Sequence, residues 1–276
     1  MSTQHFIVIG NPIAHSQSPQ IHQRFAKQVG LSINYARQLC PNDLHSFTAV
    51  VNAFFNGGGI GANVTVPFKQ MAYQLCQHNL TTHAKVAGAV NTLYIKNGKL
   101  CGHNTDGQGL VNHIQNLGWS LQDKKIAIIG AGGASRGVIL PMLLAKVANI
   151  HIANRTVSNA QKLITDFQKQ LTTLSNDTTQ LIQTANLSFG SIESLTGHFD
   201  IIINATSIGL SGNKLPLDDE LTCNHAYDMM YGRNLPFLEY FLAKGSSVSD
   251  GKGMLIGQAA LSFELWTGKK IDVNKL

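Results

Sequence analysis

Residues 124–137, Lys-Lys-Ile-Ala-Ile-Ile-Gly-Ala-Gly-Gly-Ala-Ser-Arg-Gly, constrain the fold more than any other stretch of this chain. A short apolar, β-branched run, Ile126 to Ile129, stops at Gly130, and a glycine-rich turn leads directly into a helical pattern. A buried parallel strand, a tight turn and a helix N-terminus together suit a dinucleotide pyrophosphate. Free backbone N–H groups and the positive end of the helix dipole face the anion, and missing side chains let the backbone approach. The pattern alone also fits an ordinary glycine-rich βα turn, because Ser135 stands at the third glycine position of Gly-x-Gly-x-x-Gly.

A second test lies about twenty residues downstream. The run Asn149 to Ala153 reads as the next strand and ends in Asn154-Arg155-Thr156. An NAD site usually places Asp or Glu there for the ribose 2′-hydroxyl, whereas an arginine can pair with a 2′-phosphate. No acidic residue occurs between Gly137 and Thr156, which favours NADP.

The remaining bulk properties exclude more than they assign. The 276 residues suit two domains or one large one, and 13% charged residues argue against disorder or a coiled coil. The net charge is +6, yet no basic run exceeds two residues, so a nucleic-acid partner is not expected. A modest positive field suits small anionic ligands. Four separated cysteines contain no Cys-x-x-Cys pair, and eleven histidines contain no metal-ligand spacing, so no metal is expected. No stretch has the length of a transmembrane segment and the N-terminus lacks signal-peptide regions, so a cytoplasmic protein without membrane partners is expected.

The element pattern is α/β. Strands are expected at 5–10, 33–39 and 60–65, with helices near 19–28 and 43–55 between them, the alternation of a parallel sheet. Leu93 to Leu100 reads as a hairpin turning at Asn97-Gly98, a dipeptide suited to a type I′ turn. A helix is expected over 106–117, then the nucleotide-binding unit, with a helix near 157–174 and a polar loop near 172–184. Strands follow at 199–204, 226–230 and 247–250, and a long helix runs from Met254 to about Trp266. Pro141 is expected to kink the first helix of that unit or to break a backbone bond. The expected organisation is two domains. Residues 1–105, completed by 254–276, form an N-terminal α/β substrate domain with a mainly parallel sheet. Residues 106–253 form a Rossmann-like dinucleotide-binding domain, and the C-terminal helix returns to the first, closing a cleft.

Several separated segments then resemble one family. They are Asn11 to Pro19, Asn63 to Lys69, Gly88 to Thr92, Gly102 to Gly107, Gly130 to Gly137, Asn154 to Thr156, Asn204 to Gly209, Tyr227 to Tyr231, and the Asp250-Gly251 to Gln258 run. In this order and over almost the whole chain, the sequence resembles the NADP-dependent shikimate dehydrogenases. The resemblance implies hydride transfer between NADPH and the ketone of 3-dehydroshikimate, giving shikimate, in chorismate and aromatic amino-acid biosynthesis.

The resemblance also implies site roles. Lys69 and Asp106 form an acid–base pair, since an ammonium can give a proton to a carbonyl that gains hydride and the amine can take it back. A lone lysine near a helix start is otherwise a solvated surface charge, and Asp106 also fits a helix N-cap. Ser16, Ser18 and Tyr231 would present hydroxyls to the substrate carboxylate; Ser18-Pro19 fits an N-cap followed by proline equally well. Thr65, Asn91 and Gln258 would bond the remaining hydroxyls. Gly130, Ala131, Gly132, Gly133 and Ala134 would line the pyrophosphate turn. Asn154, Arg155 and Thr156 would meet the adenosine phosphate, with Met229 and Gly251 near the nicotinamide. Two departures stand out. Asn159 occupies a position where the family commonly has a second cation, and Thr81-Thr82-His83 lies where relatives carry an acidic residue. The nearest rival within enzymes is a quinate-oxidising or NAD-using relative. A non-catalytic nucleotide-sensing or DNA-regulating module would lack the Lys69/Asp106 pair. A homodimer is compatible with every feature read here.

Overall fold

The computed structural model describes residues 2–172, 185–208 and 215–275. Residues 173–184 of the expected polar loop, and Gly209 of the Asn204–Gly209 segment, lie outside the described residues. The chain divides into two compact units, Met1–Gly109 with Ile256–Leu276, and Leu110–Leu255.

The first unit contains β1 (Gln4–Gly10), α1 (Ser18–Val29), β2 (Ile33–Leu39), α2 (Leu44–Asn56), β3 (Gly61–Val64), α3 (Lys69–Leu75), α4 (Thr82–Ala87), β4 (Thr92–Lys96) and β5 (Lys99–His103). Its sheet runs β2-β1-β3-β4-β5. Strand β1 is parallel to both neighbours, while β3–β4 and β4–β5 are antiparallel. The sheet is therefore mixed: three parallel strands extended by a hairpin. That hairpin turns through Asn97 at φ 51° and Gly98 at φ 71°, the two positive angles a type I′ turn requires.

Strand alternation divides the core of this unit in two. Ile7 and Ile9 of β1 pack with Phe47, Val51, Phe68 and Leu93. Phe6 and Val8 point to the other face and pack with Phe25, Tyr35, Ala259 and Phe263. The two C-terminal residues of that second cluster belong to the last helix, which returns to this unit.

The second unit follows α5 (Asp106–Asn116), which starts in the first unit. It holds β6 (Lys125–Ile129), α6 (Gly133–Leu144), β7 (Asn149–Ala153), α7 (Val157–Leu171), β8 (Asn186–Gly190), β9 (His198–Asn204), β10 (Thr222–Asp228), α8 (Pro236–Ala243) and β11 (Ser247–Ser249). The chain then enters α9 (Lys252–Thr267). The sheet order is β11-β10-β9-β6-β7-β8 with every pairing parallel. Counted from β6, this is the 3-2-1-4-5-6 order of dinucleotide-binding domains, with its switch point between β6 and β9. Ile126, Ile128 and Ile129 are fully buried, as a strand covered on both faces demands. Pro141 does not end α6, which continues to Leu144. It sits in the last turn, so the bond it cannot donate is lost where the helix is about to finish.

Several of the described elements had no range expected from the sequence. The helices α3 and α4 have seven and six residues, too few to display a 3.6-residue period. Strand β8 and helix α8 are also short. Among the described residues no helix is long and apolar enough to cross a membrane, and no group of three potential metal ligands exists. All four cysteines are buried free thiols.

Candidate active site

In the first unit, loops leaving the carboxyl ends of the adjacent parallel strands β1 and β3 carry most of the candidate residues. The β1 loop is tied to the β3 loop by Asn11 N–H donating to the Val66 carbonyl at 3.1 Å, and Thr65 N–H donates to Ile9 O at 3.0 Å. Thr65 is half-buried in this junction.

Ser16 and Ser18 lie together: Ser16 Oγ is 3.2 Å from Ser18 Oγ and accepts from Ser18 N at 3.3 Å. Ser18 is not the N-cap of α1. Gln17 occupies that position without a side-chain bond, and Ser18 is the first helical residue, buried. Its hydroxyl is thereby directed at Ser16 rather than spent on the helix end. Arg37 on β2, absent from the sequence reading, fixes this loop by donating from Nε at 2.9 Å and Nη2 at 2.6 Å to the Ser16 carbonyl.

Lys69 is the first residue of α3, where the helix dipole is unfavourable to a cation. Its partner is Asp106, the first residue of α5, at 2.6 Å from Nζ to Oδ2. The two side chains retain 34% and 22% exposure, so the pair is accessible but partly desolvated. Asp106 does not cap its own helix. Asn104 Oδ1 accepts from the Asp106 N–H at 3.1 Å, leaving the carboxylate free for Lys69 and for Asn91, whose Nδ2 donates to Oδ1 at 2.8 Å. The backbone laces these segments together, with Val90 N–H to Lys69 O and Asn91 N–H to His103 O.

Gln258, on α9, reaches the same cluster, with Oε1 3.3 Å from Asn91 Nδ2 and 3.4 Å from Thr105 Oγ1. Its approach explains Gly109: a Cβ there would lie 2.6 Å from Gln258 N. Lys69, Asn91, Asp106 and Gln258 thus converge within the first unit. Tyr231 belongs to the second unit, after β10, and burial raises its hydroxyl pKa.

The second unit offers an anion site at the switch point. Gly130 ends β6 at φ +111°, a conformation L side chains rarely adopt, with Thr206 Cγ2 3.0 Å from where a Cβ would stand. Ser135 folds back to donate to Gly130 O at 2.8 Å and so closes the turn without a third glycine. Gly132 caps α6 with no side-chain bond and no acidic residue follows in the first turn. A Cβ at Gly132 or Gly133 would meet nothing within 4 Å, so both glycines border open space at the helix start, where the first-turn N–H groups have no intrahelical partner. Ala131 is half-buried and Ala134 exposed beside them. This surface fits a pyrophosphate.

At the end of β7, Asn154 Nδ2 donates to Thr156 O at 2.8 Å, which shapes the turn before α7. Thr156 is the N-cap of α7 without a side-chain bond. Arg155 is exposed and enters no ion pair among the described residues, so its charge is available. Met229 and Gly251 meet: a Cβ at Gly251 would lie 2.1 Å from Met229 O, and Gly251 N–H donates to Met230 O at 2.9 Å. Asp228, to which the sequence assigned no role, ties the β9 and β10 ends. It accepts from Asn204 Nδ2 at 2.8 Å and Met230 N at 2.9 Å, and burial raises its pKa.

Three family profiles match the chain: shikimate dehydrogenase substrate binding domain over residues 8–93, shikimate/quinate 5-dehydrogenase over 111–209, and shikimate 5′-dehydrogenase C-terminal domain over 251–275. The shikimate dehydrogenase (NADP(+)) of Psychrobacter cryohalolentis is 59% identical, the alignment covering 98% of this chain and 96% of that protein. Among solved structures, an Ael1 enzyme from Pseudomonas putida has 34% identity and a TM-score of 0.87, covering 99% of this chain and 98% of its own. The shikimate 5-dehydrogenase of Thermus thermophilus, in complex with NADP(H) and shikimate, has 30% identity and a TM-score of 0.83, covering 98% and 96%. With profiles along most of its length and a relative this similar end to end, the chain belongs to the shikimate dehydrogenase family.

Proposed function

We propose that this chain is an NADP-dependent shikimate dehydrogenase that reversibly reduces 3-dehydroshikimate to shikimate, a cytoplasmic enzyme of chorismate and aromatic amino-acid biosynthesis. The observation that carries the reading is the 2.6 Å Lys69–Asp106 pair, partly open to solvent and bonded on its far side by Asn91. Bound NADPH supplies the hydride that reduces the ketone.

Ser16 and Ser18, with Tyr231, hold the substrate carboxylate through neutral donors, and Thr65, Asn91 and Gln258 bond its hydroxyls. Donors matched to hydroxyls reject analogues that lack them. Lys69 delivers the proton to the carbonyl oxygen on reduction and accepts it on oxidation. Asp106 orients the ammonium and shares its proton, so the two act as one coupled acid–base unit. Gly130 to Ala134 receive the pyrophosphate, with Asn154 and Thr156 at the adenosine phosphate and Met229 and Gly251 at the nicotinamide.

Arg155 is assigned to the 2′-phosphate. Arg155→Asp is expected to raise the apparent KM for NADP⁺ about 10- to 100-fold, the loss of a charge-assisted contact, with the KM for shikimate within about twofold. Equal changes in both constants would remove the assignment.

The reading is tested by initial rates of nicotinamide reduction with shikimate and quinate, each against NADP⁺ and NAD⁺. Fast turnover confined to shikimate with NADP⁺ is the expected result. Turnover mainly with quinate or NAD⁺ would overturn the specificity, and none with any pair would overturn the enzyme reading.

A further inference from the structure

Behind the Lys69–Asp106 pair, a continuous run of polar side chains crosses the interior of the first unit. Tyr35 on β2 donates from its hydroxyl to Asn63 Oδ1 at 2.7 Å. Asn63 on β3 donates to Ser262 Oγ on α9 at 3.1 Å. Ser262 Oγ is 2.8 Å from Thr92 Oγ1 at the start of β4, and the Thr92 hydroxyl donates to Asn91 Oδ1 at 2.9 Å. Asn91 Nδ2 completes the run on Asp106. Thr92 and Ser262 are fully buried, so neither can touch a ligand.

The direction of these bonds follows from what each group can do. The carboxylate of Asp106 accepts, and the Thr105 N–H, 2.9 Å from Asn91 Oδ1, can only donate. Asn91 therefore turns its nitrogen to Asp106 and its oxygen to Thr105 and Thr92. With the Thr92 hydrogen directed at Asn91, Thr92 Oγ1 accepts from Ser262, and Ser262 accepts from Asn63, whose oxygen takes the Tyr35 phenol. Ser262 Oγ also donates to the Gln258 carbonyl of its own helix at 3.0 Å, so its one hydrogen is shared between that oxygen and Thr92. The second amide hydrogen of Asn63 reaches Asn91 O at 3.2 Å. From Thr92 onward every link donates toward Asp106, and such a chain polarises its successive members in a low-dielectric interior.

We propose that Thr92 and Ser262 are positioning residues for the reaction, acting through Asn91 on the Asp106 carboxylate. This rests on the acid–base role given to Lys69 and Asp106. A missing hydroxyl deprives the Asn91 oxygen of a polarised donor and loosens the amide. An amide turned over would set its oxygen against the carboxylate and lose the alignment of Lys69.

The test is a set of variants, Ser262→Ala, Thr92→Val, the double variant and Thr92→Ser, assayed for kcat, both KM values and melting temperature. Each hydroxyl deletion is expected to lower kcat about 5- to 10-fold, the loss of one buried hydrogen bond, with the KM for NADP⁺ unmoved. The shikimate KM rises by less than kcat falls. Because Ser262 reaches Asn91 through Thr92, to which Asn63 Nδ2 also donates at 3.3 Å, the double variant falls no more than about twofold below the lower single, and Thr92→Ser, which keeps the hydroxyl, stays within about twofold of the parent. Wild-type kcat in Ser262→Ala, multiplicative losses in the double variant, or losses that follow melting temperature alone would each overturn the proposal. A fully active Ser262→Ala beside an inactive Lys69→Ala removes only this inference, whereas an active Lys69→Ala removes the reading on which it stands.

Discussion

Lys69→Ala is expected to lower turnover by about 10²- to 10⁴-fold, the range spanned by loss of a positioned general acid, while NADP⁺ still binds with its affinity within about twofold. The side chain removed is the cation 2.6 Å from Asp106 Oδ2. Without it the carbonyl oxygen has no positioned proton donor, and Asp106 keeps only the Asn91 amide. The surface proposed for the cofactor, around Gly130 to Ala134, lies in the other unit of the chain and loses no contact. Lys69→Arg separates charge from proton transfer. A guanidinium keeps the positive charge but does not release its proton in the working range, so it should remain close to the alanine variant in rate. Stopped turnover with intact cofactor binding, followed by fluorescence titration of NADPH, is the expected pair of results. Turnover near the parent value in Lys69→Ala would end the acid–base assignment.

The elements that sequence resolved are those whose local chemistry has one solution. Gly130 needs a positive φ, the Asn97-Gly98 pair needs two, and the isoleucines of β6 need burial on both faces. The candidate residues came from short motifs, and the structure gathers Lys69, Asn91, Asp106 and Gln258 although up to 189 positions separate them in the chain. What sequence did not resolve is the division of labour at helix starts. Ser18 and Asp106 both read as caps, yet Gln17 takes the cap position of α1 and Asn104 Oδ1 accepts the Asp106 N–H, which leaves the two side chains to the site. The supporting polar groups were also invisible. Asn63, Thr92 and Ser262 sit on three elements, Asn63 and Ser262 being 199 positions apart, and each alone is an ordinary polar residue. Arg37 falls on an edge strand, where an exposed cation is unremarkable until its contact with Ser16 O is seen.

Acid should destabilise this protein through His22, a histidine of α1 with no exposed surface. Its ring stacks on Tyr35 at 4.4 Å and 16° and is surrounded by Phe25, Phe263 and Trp266. Burial, opposed in part by the Asn63 side chain, pushes its pKa from 6.5 down to about 3. The unfolded chain binds the proton first, so between about pH 6.5 and 3 protonation favours unfolding. His22 therefore contributes stability that is complete above pH 6.5 and fades as the pH falls, at up to about 1.4 kcal/mol per pH unit. Burial lowers His83 and His103 in the same unit as well, the latter to about 4 with His83 beside it, and both add to the slope in the same direction. Denaturant melts of the parent and of His22→Leu at pH 7, 6, 5 and 4 isolate the His22 part. Leucine has a similar volume and no proton to bind, so the variant should lose less stability than the parent at each step down. A parent-minus-variant difference that stays constant from pH 7 to pH 4 would show that His22 does not remain neutral in the folded protein.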